Sequence, residues 1–131
     1  MFRQITFLRF ALLADAVASG ATGLLMIAGA EALDRLLGLP VPLMREAGLL
    51  LVPYVALVAF VGTRENIPVA AVKTIVALNV LWVLGSIGLL ISGLVAPTML
   101  GYAFVIVQAI AVGVFAELQI IGLRRADTAV A

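Results

Sequence analysis

The side chains of this chain that could hold or move a proton are sparse: seven Asp/Glu and eight Lys/Arg among 131 residues, with neither His nor Cys. Without imidazole or thiolate there is no disulfide, no CxxC redox pair, no His-ligated haem and no ordinary Zn, Cu or non-haem Fe centre, so neither a metal nor a cofactor is expected. The charges nearly cancel, to a net +1. No basic face is left for a nucleic acid. What remains is the placing of a few polar groups in apolar surroundings, above all Asp15, Asn79 and Glu117. A carboxylate at bilayer depth costs about 2.5 to 3.5 kcal/mol on insertion scales, so an acid there needs a partner, a proton or a water-filled cavity.

Asp15 falls eight residues after Phe7, about 12 Å along a helix. Ser19 and Thr22, four and seven residues further on, share its face. Glu117 precedes the Arg124-Arg125 pair by seven residues, which places it about 10 Å from that end. Ala109 and Gly113, at steps of four, prepare the same face of that segment for close helix approach. Gln108 lies nine residues from Glu117, about 180° round the helix, so the two do not serve one face. Asn79, Trp82, Ser86 and Gly93 form one stripe, with Trp82 away from the interfacial belt and therefore expected inside the bundle. The expected constellation is Asp15, Asn79 and Glu117 as a substrate or proton pathway, with Arg9 and Lys73 at its rim and Ser19, Gly23, Trp82, Ser86 and Gly113 packing the helices.

Hydropathy says which elements must position these groups. The chain is 65% hydrophobic with a mean hydropathy of +1.28, and its charged fraction of 11% is under half the roughly 25% of soluble domains. After Lys73 it runs 43 residues, Thr74 to Ala116, without a charge. About 20 apolar residues cross a bilayer. Four spans are expected, over residues 7–30, 42–63, 68–93 and 97–123, giving an all-α, single-domain membrane bundle over residues 1–131. Gly93 and Pro97 fold the uncharged run back on itself, Pro42 suits a helix start, and Pro53 predicts a kink.

Six of the basic residues considered, Arg3, Arg9, Lys73, Arg64, Arg124 and Arg125, fall at the termini and in the second loop, against Arg35 and Arg45 in the others. The positive-inside rule then sets both ends in the cytoplasm. Ala28-Gly29-Ala30 has the form of a signal-peptidase site, but the preceding stretch is longer than a signal h-region and carries Asp15, Ser19 and Thr22, which favours a retained span. Residues 31–40 read as a short amphipathic helix on the outer surface, with Leu33, Leu36 and Leu37 on one face and Glu31, Asp34 and Arg35 on the other. Gly20-Ala21-Thr22-Gly23-Leu24-Leu25 and Gly85-Ser86-Ile87-Gly88-Leu89-Leu90 share a G-x-x-G-L-L pattern 65 residues apart, the mark of a possible parallel repeat.

Four spans in about 130 residues, an external amphipathic segment after the first and a basic C-terminal end resemble the small DoxX-like and related uncharacterised bacterial membrane proteins. The resemblance is one of topology over the whole chain, carries no diagnostic motif, and implies a multi-pass protein of the bacterial cytoplasmic membrane. Some proteins of that group accompany oxidoreductases, whereas this chain has no residue suited to a redox cofactor. The segment Ala14-Asp15-Ala16-Val17-Ala18-Ser19-Gly20 is similar to the first span of small multidrug transporters, which carries Glu at the matching place. The positive bias and the acid in the fourth span depart from that pattern.

Two functional readings follow. In the first, the polar groups only hold helices together, and the chain is a non-enzymatic accessory or scaffold subunit in the lipid bilayer, as a homo-oligomer or with a membrane partner. In the second, Asp15, Asn79 and Glu117 line a polar cavity open to the cytoplasm in a small oligomeric transporter or channel, its path lying between protomers because four short helices enclose little volume. A lipid-modifying enzyme has the least support, since no nucleophile stands beside a base.

Overall fold

A computed structural model describes the backbone of residues 2–130 and the side chains of residues 7–125. It is all-helical: α1 (Phe2–Ala28), α2 (Ala30–Leu37), α3 (Val41–Gly62), α4 (Val69–Ser92) and α5 (Met99–Val130). The four long helices contain apolar stretches of 22 to 27 residues: Phe7–Ala28, Val41–Gly62, Val69–Ser92 and Met99–Arg125. At 1.5 Å per residue these measure about 33 to 40 Å, enough for a hydrocarbon layer of about 30 Å. The expected first span to residue 30 ends slightly earlier, because the helix breaks at Gly29 and restarts as α2. Pro40 and Pro68 cap α3 and α4, and Gly93 closes α4 in the left-handed conformation. Helical structure continues through Pro53, whose missing N–H leaves the Leu49 carbonyl without its intrahelical donor.

Small residues set the helix order. On α1 and α3, Gly23 and Gly48 face each other so closely that a Cβ on Gly48 would stand 2.9 Å from the Gly23 carbonyl oxygen. Gly122 of α5 lies against Leu8 of α1 in the same way, at 3.0 Å from its Cα. Thus α1 packs between α3 and α5, and α4 packs on the far side of α5. The fourth side of the bundle is different, for α3 and α4 scarcely meet. One apolar core, with Leu8, Leu12, Val58, Val72, Ile75 and Leu123, fills the end where α1 begins and α5 finishes. A second, with Met26, Leu37, Leu39, Met44, Leu51 and Val105, fills the end beneath α2. Large apolar side chains elsewhere point outward, among them Val17, Leu24 and Ile91. That belt suits lipid and not water.

The basic residues sort by end as the charge count requires. Arg9 donates from Nη1 to the Gly62 carbonyl at 2.8 Å, satisfying a carbonyl at the end of α3. The Arg125 guanidinium sits 4.9 Å over the Phe7 ring and that of Arg64 4.1 Å over Phe60. The start of α1 and the ends of α3 and α5 therefore share one face of the bundle, called here the basic end. At the opposite end, α2 covers the helices, and Arg45 pairs with Glu31 at 3.4 Å on the exposed surface.

The amphipathic reading of α2 holds for Leu33 and Leu37, which turn inward, but not for Leu36, which is 57% exposed. In an eight-residue helix the pair four apart sets the buried line, and Leu36 stands about 100° from Leu37. Gly38 then takes φ 70°, and its missing Cβ leaves room for the chain at Ala96–Thr98. Thr98 fastens this corner, its Oγ1 donating to the Leu36 carbonyl at 2.8 Å and its N–H to the Leu37 carbonyl at 2.9 Å.

The two G-x-x-G-L-L segments have unlike surroundings. Gly23 lies against Leu51 of α3, while a Cβ on Gly85 or Gly88 would meet nothing within 4 Å. Gly113, expected to pack a helix, likewise has open space. The helix-packing role falls instead to Gly48 and Gly122, both of them buried.

Candidate functional site

The buried lines of all four long helices meet at one polar cluster. On α3 the line Met44, Gly48, Leu51, Val58 brings Tyr54 inward; on α5 the line Val105, Ala109, Ala116, Leu123 brings Gln119 inward. Asp15 of α1, Asn79 of α4 and Gln119 of α5 are 1%, 3% and 0% exposed. The Tyr54 hydroxyl lies 2.5 Å from Asp15 Oδ2 and 2.6 Å from Asn79 Oδ1. Asn79 Nδ2 donates to Gln119 Oε1 at 3.0 Å, and Gln119 Nε2 donates to Asp15 Oδ2 at 2.8 Å. Four side chains, one from each span, thus close a ring. A longer contact of 3.3 Å from Asn79 Nδ2 to Asp15 Oδ2 crosses it, and Ser19 Oγ donates to Asp15 Oδ1 at 2.8 Å. Among the described residues no cation pairs with Asp15.

A second polar group joins α4 to α5 toward the α2 end. Trp82 Nε1 donates to Gln108 Oε1 at 2.6 Å, Gln108 Nε2 donates to Ser86 Oγ at 3.0 Å, and Ser86 Oγ donates to the Trp82 carbonyl at 2.7 Å. The indole is half-buried and packed in the second core, as the sequence suggested, with its N–H satisfied.

Between the two groups lies a chamber of about 670 Å³. Ser19, Tyr54, Asn79, Trp82, Ser86 and Gln108 supply its polar wall, and the remaining lining is almost wholly apolar. Leu39 and Met44 close it beneath α2. On the side where α3 and α4 stand apart, its lining includes Leu50, Leu78 and Leu81, which are 67%, 40% and 63% exposed. The chamber therefore opens on an exposed apolar side of the bundle. Its volume falls within the roughly 300 to 1,000 Å³ of small-molecule sites, which combine apolar walls with a few convergent polar groups.

Asp15 and Asn79 meet as expected, with Ser19 bound to Asp15. Glu117 does not join them: it is exposed, and Gln119 occupies the place foreseen for it. The phase drawn through Ala109 and Gly113 pointed to residue 117, but the true line runs through Ala109, Ala116 and Leu123. That line admits position 119 and turns 117 away. Neither Arg9 nor Lys73 forms a rim. Arg9 is engaged by the end of α3, and Lys73 is exposed. The chamber lies on the α2 side of the Asp15 ring, and the polar cavity was expected toward the basic end. Four helices also enclose more volume than expected, since the parting of α3 from α4 leaves the chamber within a single chain.

Tyr54 and Gln119 were missed because neither sits in a charged or repeated motif. Their signal is phase alone: Tyr54 stands three residues after Leu51 and four before Val58, and Gln119 three after Ala116 and four before Leu123. Compared with protein-family models, with curated proteins and with solved structures, the chain matches none. Fold and site together define an all-helical, multi-span membrane protein of unspecified family with a buried polar and acidic network at its centre.

Proposed function

We propose that this chain is a small, non-enzymatic membrane transporter that admits lipophilic molecules from the bilayer between α3 and α4 and meets their polar group at the Asp15 ring. The observation that carries this reading is the chamber of about 670 Å³, apolar in its walls and floored by Tyr54, Asn79 and Ser19. A cluster serving only to join helices needs no such space beside it. The ring does tie all four spans together, which is what favours the scaffold reading. The transporter reading explains that ring and also the parting of α3 from α4. The ligand that fits is mostly apolar with one or two polar groups. The proposed setting is the bacterial cytoplasmic membrane with the basic end in the cytoplasm, following the positive-inside rule.

The single tryptophan supplies the test, because Trp82 lines the chamber. Purified protein in lipid nanodiscs is titrated with 1-naphthol, N-phenyl-1-naphthylamine and decanol while indole emission is followed. A saturable change is expected in the wild type. It should vanish in Gly85→Phe, whose ring would project into the chamber from a position with nothing within 4 Å. Linear, unsaturable partitioning that is the same in both proteins would leave the scaffold as the function. Flux of a binding probe across vesicles, present in the wild type and lost in Gly85→Phe, then separates a transporter from a receptor.

A further inference from the structure

The ring of Asp15, Tyr54, Asn79 and Gln119 has four links, and each link needs one hydrogen. Tyr54 has one hydrogen to give. Asn79 and Gln119 each turn a carbonyl oxygen toward one neighbour and an amide NH2 toward the other, so each serves a single link of the ring. A carboxylate has none. Three hydrogens cannot fill four links.

Exchanging amide oxygen and nitrogen, which is a matter of assignment, does not remove the deficit. As assigned, the Tyr54 hydroxyl faces two acceptors, Asp15 Oδ2 at 2.5 Å and Asn79 Oδ1 at 2.6 Å. Turning Asn79 supplies Tyr54 but sets oxygen against oxygen at Gln119. Turning both amides moves the mismatch to the 2.8 Å link between Gln119 and Asp15. Turning Gln119 alone sets nitrogen against nitrogen. The missing hydrogen always remains.

We infer that the Asp15 ring is a proton-binding site, the fourth hydrogen being an exchangeable proton on Asp15 Oδ2. It comes from hydronium: one O–H bond forms on the carboxylate as one O–H bond of the hydronium breaks, and water is left. Every link then runs in one sense: Asp15 Oδ2 donates to Tyr54, Tyr54 to Asn79 Oδ1, Asn79 to Gln119 Oε1 and Gln119 back to Asp15. A second observation agrees. Asp15 is 1% exposed at membrane depth with no cation paired to it among the described residues, a setting that burial makes costly for a charge. The groups facing it are Tyr54 from α3, Asn79 from α4, Gln119 from α5 and Ser19 from its own helix. Among the described residues no charged side chain does so: Arg9 bonds to Gly62, Lys73 and Glu117 are exposed, and Arg125 lies over Phe7.

Removing the proton has a directed consequence. Tyr54 then gives its hydrogen to the carboxylate, and Asn79 Oδ1 loses its donor at the chamber wall. The floor of the chamber presents an unfilled acceptor only when the proton has left. Proton binding itself does not depend on any ligand entering the chamber, so it stands or falls separately from the transport reading.

The test is infrared spectroscopy of ligand-free protein in lipid vesicles with its aspartates labelled with carbon-13 at the side-chain carboxyl. Asp15, Asp34 and Asp127 are the only ones to label. At neutral pH the wild type is expected to show a labelled carboxylic-acid carbonyl band equivalent to one residue, which Asp15→Asn removes and Asp34→Asn leaves in place. Raising the pH should convert it to carboxylate, and Tyr54→Phe should shift its frequency by deleting the acceptor of its hydrogen. A wild type with labelled carboxylate bands alone at neutral pH would overturn the inference whether or not any variant folds. So would an acid band that survives in folded Asp15→Asn.

Discussion

Replacing Gln119 by Leu tests the site where structure and sequence pattern part company. The substitution keeps roughly the volume of a side chain that is 0% exposed while deleting two interhelical hydrogen bonds, to Asp15 at 2.8 Å and from Asn79 at 3.0 Å. Such bonds in membrane proteins average about 0.6 kcal/mol each and reach about 1.7. The loss is expected to be about 1 to 3 kcal/mol, roughly 5- to 150-fold in the folding equilibrium. Glu117→Leu is the control, since that side chain is exposed and touches no member of the ring. Its expected change lies within about 0.5 kcal/mol. Both are read from unfolding by sodium dodecyl sulfate in mixed micelles, followed by the emission of Trp82 and by helical circular dichroism. If Glu117→Leu proved the more damaging of the two, the phase assigned to α5 and the ring built on it would be wrong.

Three further substitutions probe how the helices hold the site. Gly48→Ala sets a methyl group 2.9 Å from the Gly23 carbonyl oxygen and 2.8 Å from Ile27, an overpacking expected to cost about 1 to 3 kcal/mol in the same unfolding assay. Gly85→Ala, facing open space, should be neutral or stabilising by up to about 1 kcal/mol through helix propensity. Gly38→Ala combines φ 70° with a Cβ 3.0 Å from the Thr98 nitrogen. A loss of about 1 to 2 kcal/mol is expected from the left-handed backbone alone, together with faster amide exchange at Thr98, whose N–H closes that corner.

The spans were legible because the bilayer imposes a length and a composition, and both are local. Pro68 at a helix start, Gly93 at an end and the uncharged run from Thr74 to Ala116 are read residue by residue. The sorting of Arg9, Arg64 and Arg125 to one end followed from the same reading. Which face of each helix turns inward is another matter. In lipid the outer face is as apolar as the inner one, so hydrophobic periodicity says little about phase. A soluble helix would have exposed the difference between Glu117 and Gln119 in its polar stripe; here interhelical contacts such as that of Gly122 with Leu8 fix it. Tyr54 and the chamber were hidden for the same reason. They depend on Gly23 and Gly48 drawing α1 and α3 together while α4 leans on α5, an arrangement of partners that no single helix encodes. Sequence alone settled that the chain builds four apolar helices and carries a buried acid. Tertiary packing decided what that acid meets, because close contact between backbones, and not contrast with water, orients helices in a membrane.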